Sequence, residues 1–417
     1  MSVPKLRFKE FDGDFEKNKL VAYTKWSSGG TPSKDNDDYW NGDIPLISGA
    51  SMHTQKFFES DVNITELGLK KGSKLAPKDS ILILVRGSML FNKIPMGLTL
   101  KDVAFNQDVK CIQPTQSLNS SFLFQWFFAK ENIIQNKVSS TGIGAGKLDT
   151  ADLQNLEIVV PKLEEQTQIA SFLSAVDEKI SQLTQKHELL SQYKQGMMQK
   201  LFSQQIRFKA YDGSEFGEWE EKTLIDSIDS SIKWSFTGGP FGSNLKSDDY
   251  TESGIRIIQL QNIGDGLFLN DYKIFTSLEK ADELLSCNIY PNEILISKMG
   301  DPVARCCIVP NHHDRYLMCS DGIRLVVNKN KYSTHFMFYQ INYQDFRQKA
   351  SDVSTGSTRK RIGLSDLKQL PILVPCLDEQ TKIANFLSSI DQKIEVVAQQ
   401  IEQAKQWKKG LLQQMFI

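Results

Sequence analysis

Between residues 163 and 202 apolar side chains return in alternating steps of four and three. The positions are Ile169, Leu173, Val176, Ile180, Leu183, His187, Leu190, Lys194, Met197 and Leu201, with His187 and Lys194 the two polar members. A period of 3.5 predicts a helix that packs along one seam against another helix. Pro161 stands just before the run, no proline interrupts it, and Glu164 and Glu165 fall where carboxylates favour the positive end of the helix dipole. Such a helix spans roughly 60 Å at about 1.5 Å per residue. It cannot close its seam on itself, so it needs a partner.

The partner lies 214 residues further along the chain. There the seam returns as Ile383, Leu387, Ile390, Ile394, Val397, Ile401, Ala404, Lys408, Leu411 and Met415. Residues 148–202 and 362–416 align without gaps, with 25 of 55 positions identical. The shared blocks Glu165-Gln166-Thr167 and Glu379-Gln380-Thr381 match at polar positions, which a seam alone does not require. This is an internal duplication. Gly196 and Gly410 interrupt the two helices at matching positions, each costing about 1 kcal/mol against alanine; close approach of another helix and a kink are the two reasons to retain them.

The duplication reaches beyond the helices. Leu6-Arg7-Phe8-Lys9 returns as Ile206-Arg207-Phe208-Lys209, Gly29-Gly30 as Gly238-Gly239, and Ile44–Ile47 as Ile255–Ile258. Short apolar runs such as Ile44–Ile47, Ile81–Val85, Val109–Ile112, Ile255–Leu260, Ile294–Ser297 and Ile323–Val327 lie between Gly, Pro, Asn and Asp clusters, the pattern of strands and turns. One helix is expected near Ser121–Lys130. The chain thus divides into a globular part at 1–160, a long helix at 161–204, a second globular part at 205–374 and a second long helix at 375–417. The fold class is α+β. The globular interiors share framework positions only, which suggests two sites of one kind with different specificities.

Composition changes this picture little. The 417 residues, 40% hydrophobic, contain no apolar run of the roughly 18 residues that span a membrane, and the N-terminus has no signal-peptide pattern. The six cysteines are irregularly placed, and Cys306-Cys307 lack zinc-site spacing, so a reducing cytoplasm is expected. A net charge of −1 argues against a protein that coats nucleic acid indiscriminately, but not against a local basic surface.

No motif carries catalysis. Gly142–Lys147 approaches a phosphate-binding loop, yet Thr141 replaces its first glycine and Leu148 its hydroxyl; a loop before a strand is expected. Gly238, Gly239 and Gly242 read as a turn. His53, His187, His312, His313 and His335 have no metal spacing, and His187 reads as a half-buried packing residue. No catalytic residue and no metal ligand is assigned.

Candidate binding residues are cationic. Lys70, Lys71, Lys74 and Lys78 precede the strand at Ile81, Arg86 and Lys298 end equivalent strands, and Arg359-Lys360-Arg361 follows the hydroxyl-rich Ser354–Thr358. Cations beside small hydroxyls suit the phosphate oxygens that position a protein on DNA.

Taken together, the chain resembles the specificity subunit of type I restriction–modification enzymes. The resemblance rests on Ser28-Gly29-Gly30-Thr31-Pro32, on Tyr39–Pro45, on Ser354–Ile362 and on the twice-used Pro-x-Leu-x-Glu-Gln-Thr-x-Ile-Ala, and it covers nearly the whole chain. It implies two mixed α/β target-recognition domains, each reading half of a bipartite site in double-stranded DNA. They are separated by two long helices packed as an antiparallel coiled coil, the whole a pseudo-twofold internal repeat. It also implies two modification subunits that methylate adenine N6 with S-adenosylmethionine, and restriction motor–nuclease subunits that use ATP and magnesium; this chain itself holds no cofactor and is not an enzyme. Glu165, Gln166, Ile169, Glu379, Gln380 and Ile383 would then belong to a surface shared with the modification subunits. The rival readings are a methyltransferase-only complex, a coiled-coil adaptor that binds only proteins, and a nuclease with a divergent site. In the first copy Gly144 and Ala145 stand where the second has Thr358 and Arg359.

Overall fold

The computed structural model describes residues 4–141, 144–356 and 359–416. Gly142 of the first loop and Ser357 and Thr358 of the second lie outside the described residues. Two long helices dominate, Leu163–Phe202 and Leu377–Met415, close to the expected limits. Both run without interruption through Gly196 and Gly410, and a Cβ added at either glycine would meet nothing within 4 Å. Close helix approach is therefore not what these glycines serve in the isolated chain. Among the described residues no helix is long and apolar enough to cross a membrane.

The helices are not bodies of their own. The chain divides into two compact units, residues 1–185 with 398–417, and residues 186–397, so each unit takes the start of one long helix and the end of the other. In the first unit Ile169, Ala170, Leu173 and Val176 share a core with Leu411, Leu412, Met415 and Phe416. In the second, Leu201 and Phe202 share one with Ile383, Ala384, Leu387 and Ile390. Start against end is antiparallel packing.

Seam position Lys408 shows how a cation is tolerated there: its ammonium lies 2.5 Å from the Asp177 carboxylate, which also accepts from Gln125 at 2.7 Å. In the second unit Lys194 meets Asp391 at 2.6 Å, and Tyr339 donates to the same carboxylate at 2.7 Å. Burial and that hydrogen bond push the Tyr339 hydroxyl well above its ordinary pKa.

The expected strands appear in each globular part. Ile81–Leu84 lies between Val109–Pro114 and Met96–Thr99, both antiparallel to it, in a five-stranded sheet, and all four of its side chains pack into the core of the unit. A strand covered on both faces is apolar throughout rather than alternating. Ile294–Ser297 plays the same part between Gly322–Leu325 and Cys306–Ile308. The expected helix is Ser120–Ala129, capped by the Asn119 side chain, and its counterpart Thr334–Asn342 is capped by Ser333. Trp126, Phe122 and Phe127 anchor the first to its core, and Phe336 and Tyr339 the second.

Candidate nucleic-acid interface

The buried strand of each unit ends at a short ribbon. In the first unit Leu148 N–H bonds the Val85 carbonyl at 2.9 Å, Lys147 pairs with Arg86, and Ser139 pairs with Lys147. Thr141 and Ala145 close the loop through a 2.8 Å bond. In the second unit Ile362 N–H bonds the Lys298 carbonyl at 3.0 Å, Arg361 bridges Met299, and Thr355 and Arg361 exchange bonds of 2.9 and 2.8 Å. The structure thus joins the Lys298 strand to the Arg359–Arg361 segment, which lie far apart in sequence.

The register corrects two details. Lys298 answers the buried Val85, not Arg86, and the residue that answers Arg86 is Met299. Successive strand side chains point to opposite faces, so the half-buried Lys298 points away from Arg361, with which Met299 is paired. Likewise Ser28 pairs with Lys110 and Gly238 with Ile323, so Ser28 answers Gly238; counted on without a gap, Gly29 answers Gly239 and Thr31 takes the place of Phe241.

The ribbons differ electrostatically. Arg86 is exposed and directly opposite Lys147, whose nearest carboxylate is Asp149 at 3.9 Å. Like charges across a strand pair repel, a cost that a polyanion would remove. In the second unit Arg361 is already paired with the Asp321 carboxylate, Lys360 is tied to Ser351, and Arg359 is exposed. Lys70 and Lys71 are exposed at the end of the helix Glu66–Gly72, and Lys74 is exposed on a separate sheet, where it pairs with Phe105. Two short connections lead from Lys74 to the ribbon: the chain itself, through residues 77–80 into the strand Ile81–Leu84, and the turn after Phe105, where Val85 N–H bonds the Asp108 carbonyl at 2.8 Å. Sequence reasoning missed Lys147 and Asp321, whose roles come from cross-strand and tertiary pairing.

The six residues expected on a shared subunit surface are instead buried. Glu165, Gln166 and Ile169 are 2%, 1% and 3% exposed, and Glu379, Gln380 and Ile383 are 0%, 1% and 0%. Glu165 takes two 2.8 Å hydrogen bonds from Arg7, and Glu379 takes 3.1 and 2.7 Å bonds from Arg207. These hydrogen bonds raise the guanidinium pKa of both arginines, burial opposing them. Gln166 accepts from Asn119 N–H at 2.7 Å and donates to the Ser117 and Pro161 carbonyls at 2.9 Å each. Gln380 repeats this with Ser333, Lys331 and Pro375 at 2.9, 3.1 and 2.9 Å. The repeated polar block fastens the start of each long helix to its own unit. The signal for the arginines was present, since Arg7 and Arg207 stand in one duplicated block and Glu165 and Glu379 in another.

Among the described residues no group of three His, Cys, Asp or Glu side chains is placed to hold a metal. The Cys307 thiol is pushed up to about 12 by burial.

The family model described as the type I restriction modification DNA specificity domain matches residues 15–192 and 244–406. The specificity subunit of the type I restriction enzyme MjaVIII of Methanocaldococcus jannaschii is 27% identical over 432 aligned positions, 97% of this chain and 94% of that protein. The specificity subunit of EcoR124I/EcoR124II of Escherichia coli is 32% identical over 182 positions, 43% of this chain and 45% of that protein. Among solved structures, the type I restriction–modification S subunit from M. genitalium matches with a TM-score of 0.62 at 17% identity, covering 100% of this chain and 99% of that one.

Proposed function

The chain belongs to the type I restriction–modification DNA specificity family, and from that premise we propose that it is the sequence-reading subunit of such a complex. Each unit reads one half of a bipartite duplex site. Two modification subunits assemble on the chain and methylate adenine at N6, and restriction subunits join them. S-adenosylmethionine, ATP and magnesium are held by those partners, and this chain contributes no catalytic group.

The observation that carries the reading is the repeated ribbon. Both units end the same buried strand in a short pairing that presents cations, but the residues differ: Arg86 with Lys147 in one, Arg359 and Arg361 in the other. Phosphate contacts fix register while groove contacts from neighbouring loops supply sequence discrimination. A scaffold shared by the two units, with unlike tips, suits two half-sites of unlike sequence.

The test is an exchange. Residues 20–147 are replaced by the same region of another family member, and the methylated motif is read by modification-sensitive sequencing. One half of the motif should change and the other stay. A change in both halves would remove the modular reading.

A further inference from the structure

Phe241 is 82% exposed, the most exposed phenylalanine among the described residues. It stands at the tip of a turn pinned at both ends. On one side Gly239 lies so close to the Cys319 carbonyl oxygen that an added Cβ would sit 1.6 Å from it, and Gly239 N–H bonds the Gly322 carbonyl at 2.9 Å. Pro240 is buried. On the other side Leu245 packs into the core formed by Ile257, Ile289 and Leu317. Asn244 N–H closes the turn on the Phe241 carbonyl at 2.8 Å. The ring is thus displayed on a fixed support.

The support is shared with the ribbon. Asp321, in the same Cys319–Gly322 turn, holds the Arg361 guanidinium through its carboxylate and the Lys298 N–H through its carbonyl at 2.7 Å. One short turn therefore fixes both an exposed ring and the cationic ribbon. In the first unit the answering residue is Thr31, whose hydroxyl donates to the Gln107 side chain at 2.8 Å. That position offers nothing to insert.

We propose that Phe241 is a wedge that stacks on a base in the half-site contacted by the second unit and opens one base step there, while the first unit leaves its half-site stacked at the equivalent place. The proposal rests on the DNA-reading function set out above. A phenyl ring has no donor or acceptor with which to read a base edge. Beside a cationic ribbon, the work open to it on DNA is packing on a thymine methyl group, stacking on a base, or insertion between base pairs as apolar wedges of DNA-bending proteins do, and a ring standing clear on a pinned turn suits the last two.

The experiment uses the full chain assembled with its modification subunits. The duplex carries the motif that methylation sequencing returns, with 2-aminopurine placed in turn at each purine. Wild-type protein should raise emission at one step of the half-site assigned to the second unit. Phe241→Trp should keep the signal. Phe241→Ala should lose it, bind about 5- to 150-fold more weakly and leave the salt slope unchanged. Emission from an adenine extruded for methylation would persist in Phe241→Ala, which separates the two sources. Equal emission and affinity in Phe241→Ala would overturn the wedge. So would weaker binding without an emission change that is reproduced by replacing a thymine with uracil, which would assign a methyl contact. If the wild-type complex fails to prefer its motif over a scrambled duplex, the underlying function fails; if it prefers the motif but Phe241→Ala behaves as wild type, only the wedge does.

Discussion

The two units are alike where each long helix begins and unlike where the ribbons end. At the helix openings the match extends to individual hydrogen bonds. Arg7 with Glu165 and Arg207 with Glu379 make the same forked pair, and Gln166 and Gln380 each bridge three backbone groups. At the ribbons, Arg86 faces Lys147 in one unit, while Met299 faces an already paired Arg361 in the other. Buried polar groups cannot change singly without leaving a partner unpaired, so the openings are held in common. Exposed tips carry no such constraint and are free to diverge. The molecule keeps one fastening and varies the contents.

The largest effect should follow from cutting that fastening. Glu165→Ala or Glu379→Ala leaves a mostly buried guanidinium without its carboxylate and should cost about 3 kcal/mol of the affected unit's stability. The two differ in one respect. Trp219 donates to Glu379 at 3.2 Å, whereas Phe15, which answers Trp219, only lies under the Arg7 guanidinium at 4.7 Å. Glu379→Ala should therefore cost more than Glu165→Ala, and Trp219→Phe should remove the difference. Urea unfolding of the variants decides it; equal losses would mean that the indole N–H contributes nothing.

Gln166→Ala and Gln380→Ala come next. Each leaves one N–H and two carbonyls without their side-chain partner, and each should cost about 1–3 kcal/mol. Because the bonding is the same, the two losses should agree. A large loss in one unit alone would show that the likeness of the openings is geometric without being energetic.

The ribbons should respond in the opposite way, unequally. Arg86→Ala with Lys147→Ala removes two exposed cations, of which only Lys147 has a carboxylate near it, Asp149 at 3.9 Å, and the salt slope of DNA binding should fall by up to ~1.8, or ~0.9 per contact. Replacing Arg359, Lys360 and Arg361 by alanine removes three cations, but Asp321 already neutralises one and Ser351 tethers another. The fall per residue should be smaller, and about equal for cognate and unrelated duplex. Loss of discrimination at one base pair with an unchanged slope would reassign these residues to base readout.

Much of this architecture is visible in the sequence because it is periodic or repeated. The helix Leu163–Phe202 follows from a seam and a preceding proline, and Ile81–Leu84 and Ile294–Ser297 from apolar runs between turn residues. What was hidden depends on partners distant in the chain. Glu165 reads as helix surface until Arg7 is folded onto it, and Lys194 and Lys408 read as seam faults until Asp391 and Asp177 meet them. The one-residue offset between Arg86 and Lys298 is invisible for a related reason. Matching strands by composition fixes their ends only to within a residue, and in a strand one residue exchanges the faces.

The smallest effect expected tests the two units where both are open to solvent. Gly196 and Gly410 occupy matching places in the last stretch of each long helix, and each retains a residue that costs about 1 kcal/mol there relative to alanine. Nothing within 4 Å would meet the added methyl group, and neither glycine has the positive φ that only glycine adopts freely. Gly196→Ala and Gly410→Ala should therefore each stabilise the isolated chain by about 1 kcal/mol, mainly by reducing the freedom of the unfolded backbone. The gains should be equal and additive, because the two sites share no partner. Urea midpoints of the single and double variants measure this directly. A gain at one glycine and a loss at the other would show that the helices, alike in sequence at this level, are not alike in strain.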